Sequence, residues 1–115
     1  MKLAVIGSRN LHVTDICKYI PDTVTEIVSG GARGIDTQAK EYAKSAGIHF
    51  TLFLPDYPRY GKAAPLRRNE QIAVYADEAV AFWDGQSRGT RYTIQKFREK
   101  GKNIRIVVLT PETPK

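Results

Sequence analysis

Cysteine is almost missing from this chain. Cys17 stands alone among 115 residues, which excludes an internal disulfide and a cysteine-based metal site. The two histidines, His12 and His49, have no cysteine or carboxylate at metal-ligand spacing, so no metal is expected. No apolar run approaches the roughly 20 residues that span a bilayer. The apolar start at Met1 stops at Gly7, too short for the core of a signal peptide. A cytoplasmic protein with no membrane partner is the expectation. Internal repeats, linkers and low-complexity tracts are absent as well, and the length suits one domain with one core, residues 1–115. Residues 30–36 do not end in the Lys-Ser/Thr of a Walker loop. Nor do Gly30-Gly31-Ala32-Arg33-Gly34 keep the Gly-x-Gly-x-x-Gly spacing of dinucleotide enzymes. Nothing points to a cofactor.

What is present is an alternation of short β-branched runs with helical patterns, the signature of an α/β fold. It predicts a Rossmann-like open parallel sheet of five strands flanked by helices on both faces. The strands are expected near Leu3 to Ile6, Glu26 to Ser29, His49 to Leu54, Glu78 to Trp83 and Ile104 to Leu109. Val13, Ile16, Cys17 and Ile20, and again Ala39, Tyr42, Ala43 and Ala46, recur at i, i+3, i+4, i+7, as on a helix face packed on a sheet. That spacing predicts a buried structural thiol at Cys17. Gly47 marks a helix stop. Leu66, Ile72, Ala73 and Ala76 mark a third helix, and Ile94 with Phe97 a fourth.

In open parallel sheets ligands lie beyond the carboxyl ends of the strands, where the loops gather. Here these loops are Gly7-Ser8-Arg9-Asn10, then Gly30 to Asp36, then Pro55 to Lys62, then Asp84 to Thr90. Glycines let backbone amides approach an anion, the following helix points its positive dipole end at the same place, and Arg33 adds a fork of donors. Hydroxyls at Ser8, Ser29, Ser87 and Thr90 suit phosphate oxygens, and Tyr57 or Tyr60 suits stacking on a base. The net charge of +6 falls in two groups. Arg9, Arg33, Arg59, Lys62, Arg67, Arg68, Arg88 and Arg91 lie in or beside these loops. Lys96, Arg98, Lys100, Lys102 and Arg105 belong to the last helix and strand and read as a solvated face.

Taken in order, Gly7-Ser8-Arg9, Ser29-Gly30-Gly31-Ala32-Arg33-Gly34-Ile35-Asp36, Tyr60-Gly61-Lys62 with Arg68-Asn69, and Asp84-Gly85 running into Ser87-Arg88-Gly89-Thr90 resemble the SLOG superfamily of Rossmann-like nucleotide-ligand domains. The match is to its small stand-alone members from bacteria and phages. The resemblance implies a nucleotide or nucleotide-derived ligand held by those residues and, from the way such relatives pair, a homodimer. Two relatives within the superfamily imply alternatives. The cytokinin-activating phosphoribohydrolases use an Arg, matched by Arg68, and a Glu, whose position is Thr93 here. A hydroxyl cannot stabilise a ribosyl cation as a carboxylate does, so that chemistry is not expected unless Asp36 or Asp84 substitutes. The DNA-processing protein A shares the Ala-Arg-Gly-Ile-Asp pattern and the Arg-Asn pair, which implies single-stranded nucleic acid as the other partner.

Overall fold

β1 (Lys2–Gly7) reads as an almost unbroken apolar run because both of its faces are covered. The computed structural model describes residues 1–8, 10–30 and 34–110. In it β1 is the middle strand of a five-stranded sheet with β2 (Glu26–Ser29), β3 (His49–Leu52), β4 (Glu78–Trp83) and β5 (Ile104–Val108). Every pairing is parallel and the order is β3-β2-β1-β4-β5. Side-chain alternation splits the core in two. Leu3, Val5, Ile27, Val80 and Phe82 pack beneath α1 (Ile35–Ala46) on one face. Ala4, Val28 and Ala79 meet α3 (Ala64–Tyr75) and α4 (Arg88–Glu99) on the other. The expected α/β architecture, with helices on both faces, is therefore observed.

Gly7 sits where α1 crosses the end of β1. A Cβ there would lie 2.4 Å from the Ile35 side chain, so only glycine lets helix and strand meet at this point. Gly34 opens the helix at φ +83°, and a Cβ would lie 2.6 Å from the Leu11 carbonyl oxygen. At the other end α1 stops at Gly47, in the left-handed conformation, as expected.

One predicted helix is corrected. Between β1 and β2 the chain forms only a four-residue 3-10 turn, Ile16–Tyr19. Val13, Ile16 and Ile20 are buried as expected, but Cys17 is exposed. A 3-10 turn steps about 120° per residue, which sends Cys17 away from the core-facing Ile16. Its thiol donates to the Asp15 carboxylate at 3.4 Å, and that contact raises its pKa, the reverse of what a nucleophile needs. A second correction concerns the Pro55 to Lys62 loop. It contains a short helix, α2 (Tyr57–Tyr60), capped by Asp56 and followed by a 3-10 turn over Gly61–Ala63 that runs straight into α3.

The C-terminal end of α3 is held by Lys102. Its ammonium donates to the carbonyls of Ala73 at 2.7 Å, Val74 at 2.9 Å and Ala76 at 2.7 Å, satisfying oxygens that the helix end leaves open and opposing the negative end of its dipole. Replacing it by methionine keeps the stem and removes the donors. Lys102→Met is expected to cost about 1–2 kcal/mol, read as a lower urea midpoint at unchanged m-value.

Candidate ligand-binding site

From β1 the chain moves through β2 to β3 on one side, then returns to place β4 on the other side of β1. The loops after β1 and β4 therefore depart in opposite directions, and a crevice opens between them at the carboxyl end of the sheet. Ser8 lies at its floor, 2% exposed, fixed by its amide to the Phe82 carbonyl at 2.9 Å. Its hydroxyl shares a 3.1 Å hydrogen bond with the Thr90 hydroxyl and donates to the Asp84 carboxylate at 3.5 Å. One side chain thus joins both loops and the start of α4.

The loop after β4 is organised by Asp84. One carboxylate oxygen accepts from the amides of Gln86 at 2.8 Å and Ser87 at 2.7 Å. These bonds, that from Ser87 first and that from Gln86 second, hold its pKa below the usual Asp value. The Trp83 indole donates to the Ser87 carbonyl at 3.1 Å, and the Ser87 hydroxyl caps α4 by accepting from the Thr90 amide. Thr93, one turn on, is buried and donates to the Gly89 carbonyl at 2.9 Å.

The facing wall is α3. Pro65, Arg68, Asn69 and Ile72 follow i, i+3, i+4, i+7 and form one stripe along a cavity of about 440 Å³. Arg68 is half-buried, and this desolvation lowers its pKa. Its Nε donates to the Asn69 side-chain carbonyl at 2.7 Å and one terminal nitrogen donates to the Gly30 carbonyl. The Arg68 side chain passes close to Gly30, whose Cβ, if present, would be 3.1 Å from its Cδ, Nε and Cζ. Across the cavity, Asp36 in the first turn of α1 accepts from the Ser29 hydroxyl and acts on Arg68 through its charge.

The cavity gathers much of what the sequence nominated. Gly7, Ser8, Gly30 and Asp36 line it from the β1 and β2 side, Arg68 and Asn69 from α3, and Asp84, Ser87, Gly89 and Thr90 from the β4 side. Ser29 lies beneath it, fully buried against Asp36. Gly34 and Gly85 support its loops without lining it. Tyr60 and Lys62 do not reach it: Tyr60 turns to a separate depression beside Arg67, Glu70 and Val74, and Lys62 is exposed in the 3-10 turn. The capped turn of α2 directs this segment along the outer side of α3. Arg9, Gly31, Ala32 and Arg33 lie outside the described residues.

Several lining residues were not nominated: Asn10, with φ +66°, Pro65, Leu66, Ile72 and Thr93. The helical stripe from Pro65 to Ile72 carried a signal for the α3 wall, since it runs through Arg68 and Asn69.

With this geometry in view, no family model matches the chain and no solved structure matches it. It is similar to the Gene 61 protein of Mycobacterium phage D29, at 36% identity over 81 residues. The matched region covers 65% of this chain and 65% of the length of that protein, whose name specifies no ligand or reaction. Among the described residues, no helix is long and apolar enough to cross a membrane, and no cluster of three metal-ligating side chains occurs.

Asp84→Ala removes the acceptor for two loop amides and is expected to cost roughly 1 kcal/mol at neutral pH. A carboxyl whose folded pKa is depressed stabilises the fold above its unfolded value, about 4 for Asp, and loses that contribution as the pH falls through the folded value. The melting temperatures of wild type and variant should differ at pH 7 and converge near pH 2, a comparison made by calorimetry across that range.

Proposed function

We propose that the cavity binds a nucleotide or nucleotide-derived ligand through its phosphate, as a sensing or sequestering domain of the cytoplasm. The observation that carries this is the environment of Arg68. Its guanidinium is half-buried in the cavity wall, and the acceptors it bonds, the carbonyls of Gly30 and Asn69, are neutral. Neutral acceptors satisfy hydrogen bonds without cancelling charge, so the remaining donors favour an anion. The hydroxyls of Ser8, Ser87 and Thr90 and the start of α4 border the same space. Pro65, Leu66 and Ile72 supply an apolar surface suited to a base or sugar. The SLOG resemblance points the same way.

Cleavage of the ligand is not part of the proposal. By the resemblance Thr93 stands where the phosphoribohydrolases carry a carboxylate, and its hydroxyl donates to the Gly89 carbonyl. Asp84 is engaged with loop amides and Asp36 accepts from Ser29, so each carboxylate has a structural task.

A thermal-shift panel of nucleoside mono- and diphosphates, ADP-ribose and cyclic dinucleotides is expected to contain a stabiliser, with inorganic phosphate as the comparison. A ligand at about 100 times its dissociation constant adds about 2.7 kcal/mol. Arg68→Gln should weaken that ligand by roughly 1.5–3 kcal/mol in calorimetry, and Arg68→Lys should restore little because it lacks the planar fork. Silence across the panel, or unchanged affinity in Arg68→Gln, counts against the proposal. Incubation with nucleoside monophosphates should release little free base. Turnover above roughly one per second would replace binding with hydrolysis.

A further inference from the structure

The charge of this molecule is concentrated in one place. Between Arg88 and Lys102 there are six basic residues and one acidic residue, a net +5 out of the chain's +6. On α4 the exposed face carries Arg88, Arg91, Gln95 and Arg98, spaced three, four and three residues apart, so they form a single stripe. The opposite face, with Thr93, Ile94 and Phe97, is buried against the sheet.

Over the rest of the chain twelve basic residues stand against eleven acidic ones. Among the described residues Lys18 pairs with Asp15, Arg67 with Glu70 and Lys96 with Glu99, while Arg88, Arg91 and Arg98 pair with no carboxylate. Arg88 and Arg91 also stand near the positive end of the helix dipole, with no acidic residue in the first turn, an arrangement that works against the helix. A merely solvated face would mix signs and place acids there.

We infer that the Arg88–Arg91–Arg98 stripe of α4 is a docking surface for the phosphate backbone of a nucleic acid, separate from the cavity and independent of what the cavity holds. The ten steps of helix from Arg88 to Arg98, at about 1.5 Å each, make the stripe about 15 Å long. One nucleic-acid strand presents a phosphate about every 3.4 Å of axis, so the stripe spans about four. Arginine forks suit phosphate oxygens. The stripe contains no apolar residue, whereas the buried core of a protein–protein interface is its more apolar part. The helix cannot insert into a lipid surface either, because its apolar face is already buried.

The test is fluorescence anisotropy with labelled single- and double-stranded oligonucleotides of about 15 nucleotides, between about 50 and 200 mM KCl. The variant combines Arg88→Gln, Arg91→Gln and Arg98→Gln, exposed changes to a residue that suits helices, with folding checked by circular dichroism. A charge-matched control combines Lys18→Gln, Lys40→Gln and Lys44→Gln. The stripe variant is expected to lose at least about tenfold in affinity and, on single strands, to flatten the log-log salt slope by about 2, while the control loses less than about threefold. Absence of oligonucleotide binding at the lowest salt overturns the inference. So does an equal loss in both variants, or tighter binding to phosphatidylserine vesicles than to either oligonucleotide.

Discussion

The pairing of β1 with β4 is the constraint on which the rest of this molecule depends. It joins two segments more than seventy residues apart, in register from Leu3 against Glu78 to Gly7 against Phe82. By doing so it sets the direction in which each neighbouring loop departs. Both faces of β1 and β4 are apolar, so a one-residue slip would exchange the residues facing α1 for those facing α3 and α4. The large side chains Leu3, Val5, Val80 and Phe82 share one face, while Ala4, Ala79 and Ala81 make the strands slim on the other. The register is fixed by that contrast in volume. Once it is fixed, Ser8 has nowhere to lie except between Asp84 and Thr90, and the crevice follows.

Much of the fold was legible because strands buried on both faces leave continuous β-branched runs bounded by polar turns. β2 and β4 were located to the residue, and β1, β3 and β5 to within one or two. The segment from Val13 to Ile20 was misread because four residues at helical spacing, Val13, Ile16, Cys17 and Ile20, do not distinguish a helix from a coil with a single turn. Pro21 follows directly and the segment is short, so only a 3-10 turn forms, and Cys17 turns outward. In the crevice, the glycine-bearing loops were legible because topology alone brings them together. The destination of Tyr60 was not, since it depends on the helical turn that Asp56 caps. Leu66 and Ile72 were read as packing residues because a sequence does not say which side of a helix faces an opening.

Electrostatically, the described part of the cavity sets one cation, Arg68, among the carboxylates Asp36 and Asp84. Asp84 is hydrogen-bonded by loop amides and Asp36 accepts from Ser29, each carboxylate stabilising the segment that bears it. Arg68 is hydrogen-bonded by carbonyl oxygens, and the Asp36 carboxylate acts on it through its charge. The hydrogen bond of Arg68 to the Gly30 carbonyl ties α3 to the end of β2, and both residues line the cavity.

The two ends of α3 are secured very differently. Its last turn is gripped by the three hydrogen bonds of Lys102, whereas its first turn, with Ala63 at the cap position, has no side-chain cap. A helix frays from its less constrained terminus. Amide exchange in α3 is therefore expected to be faster near Leu66, where the helix borders the cavity, than near Tyr75. The cavity is thus bordered by the end of the helix that has no side-chain cap, while the end remote from it is the one that Lys102 grips.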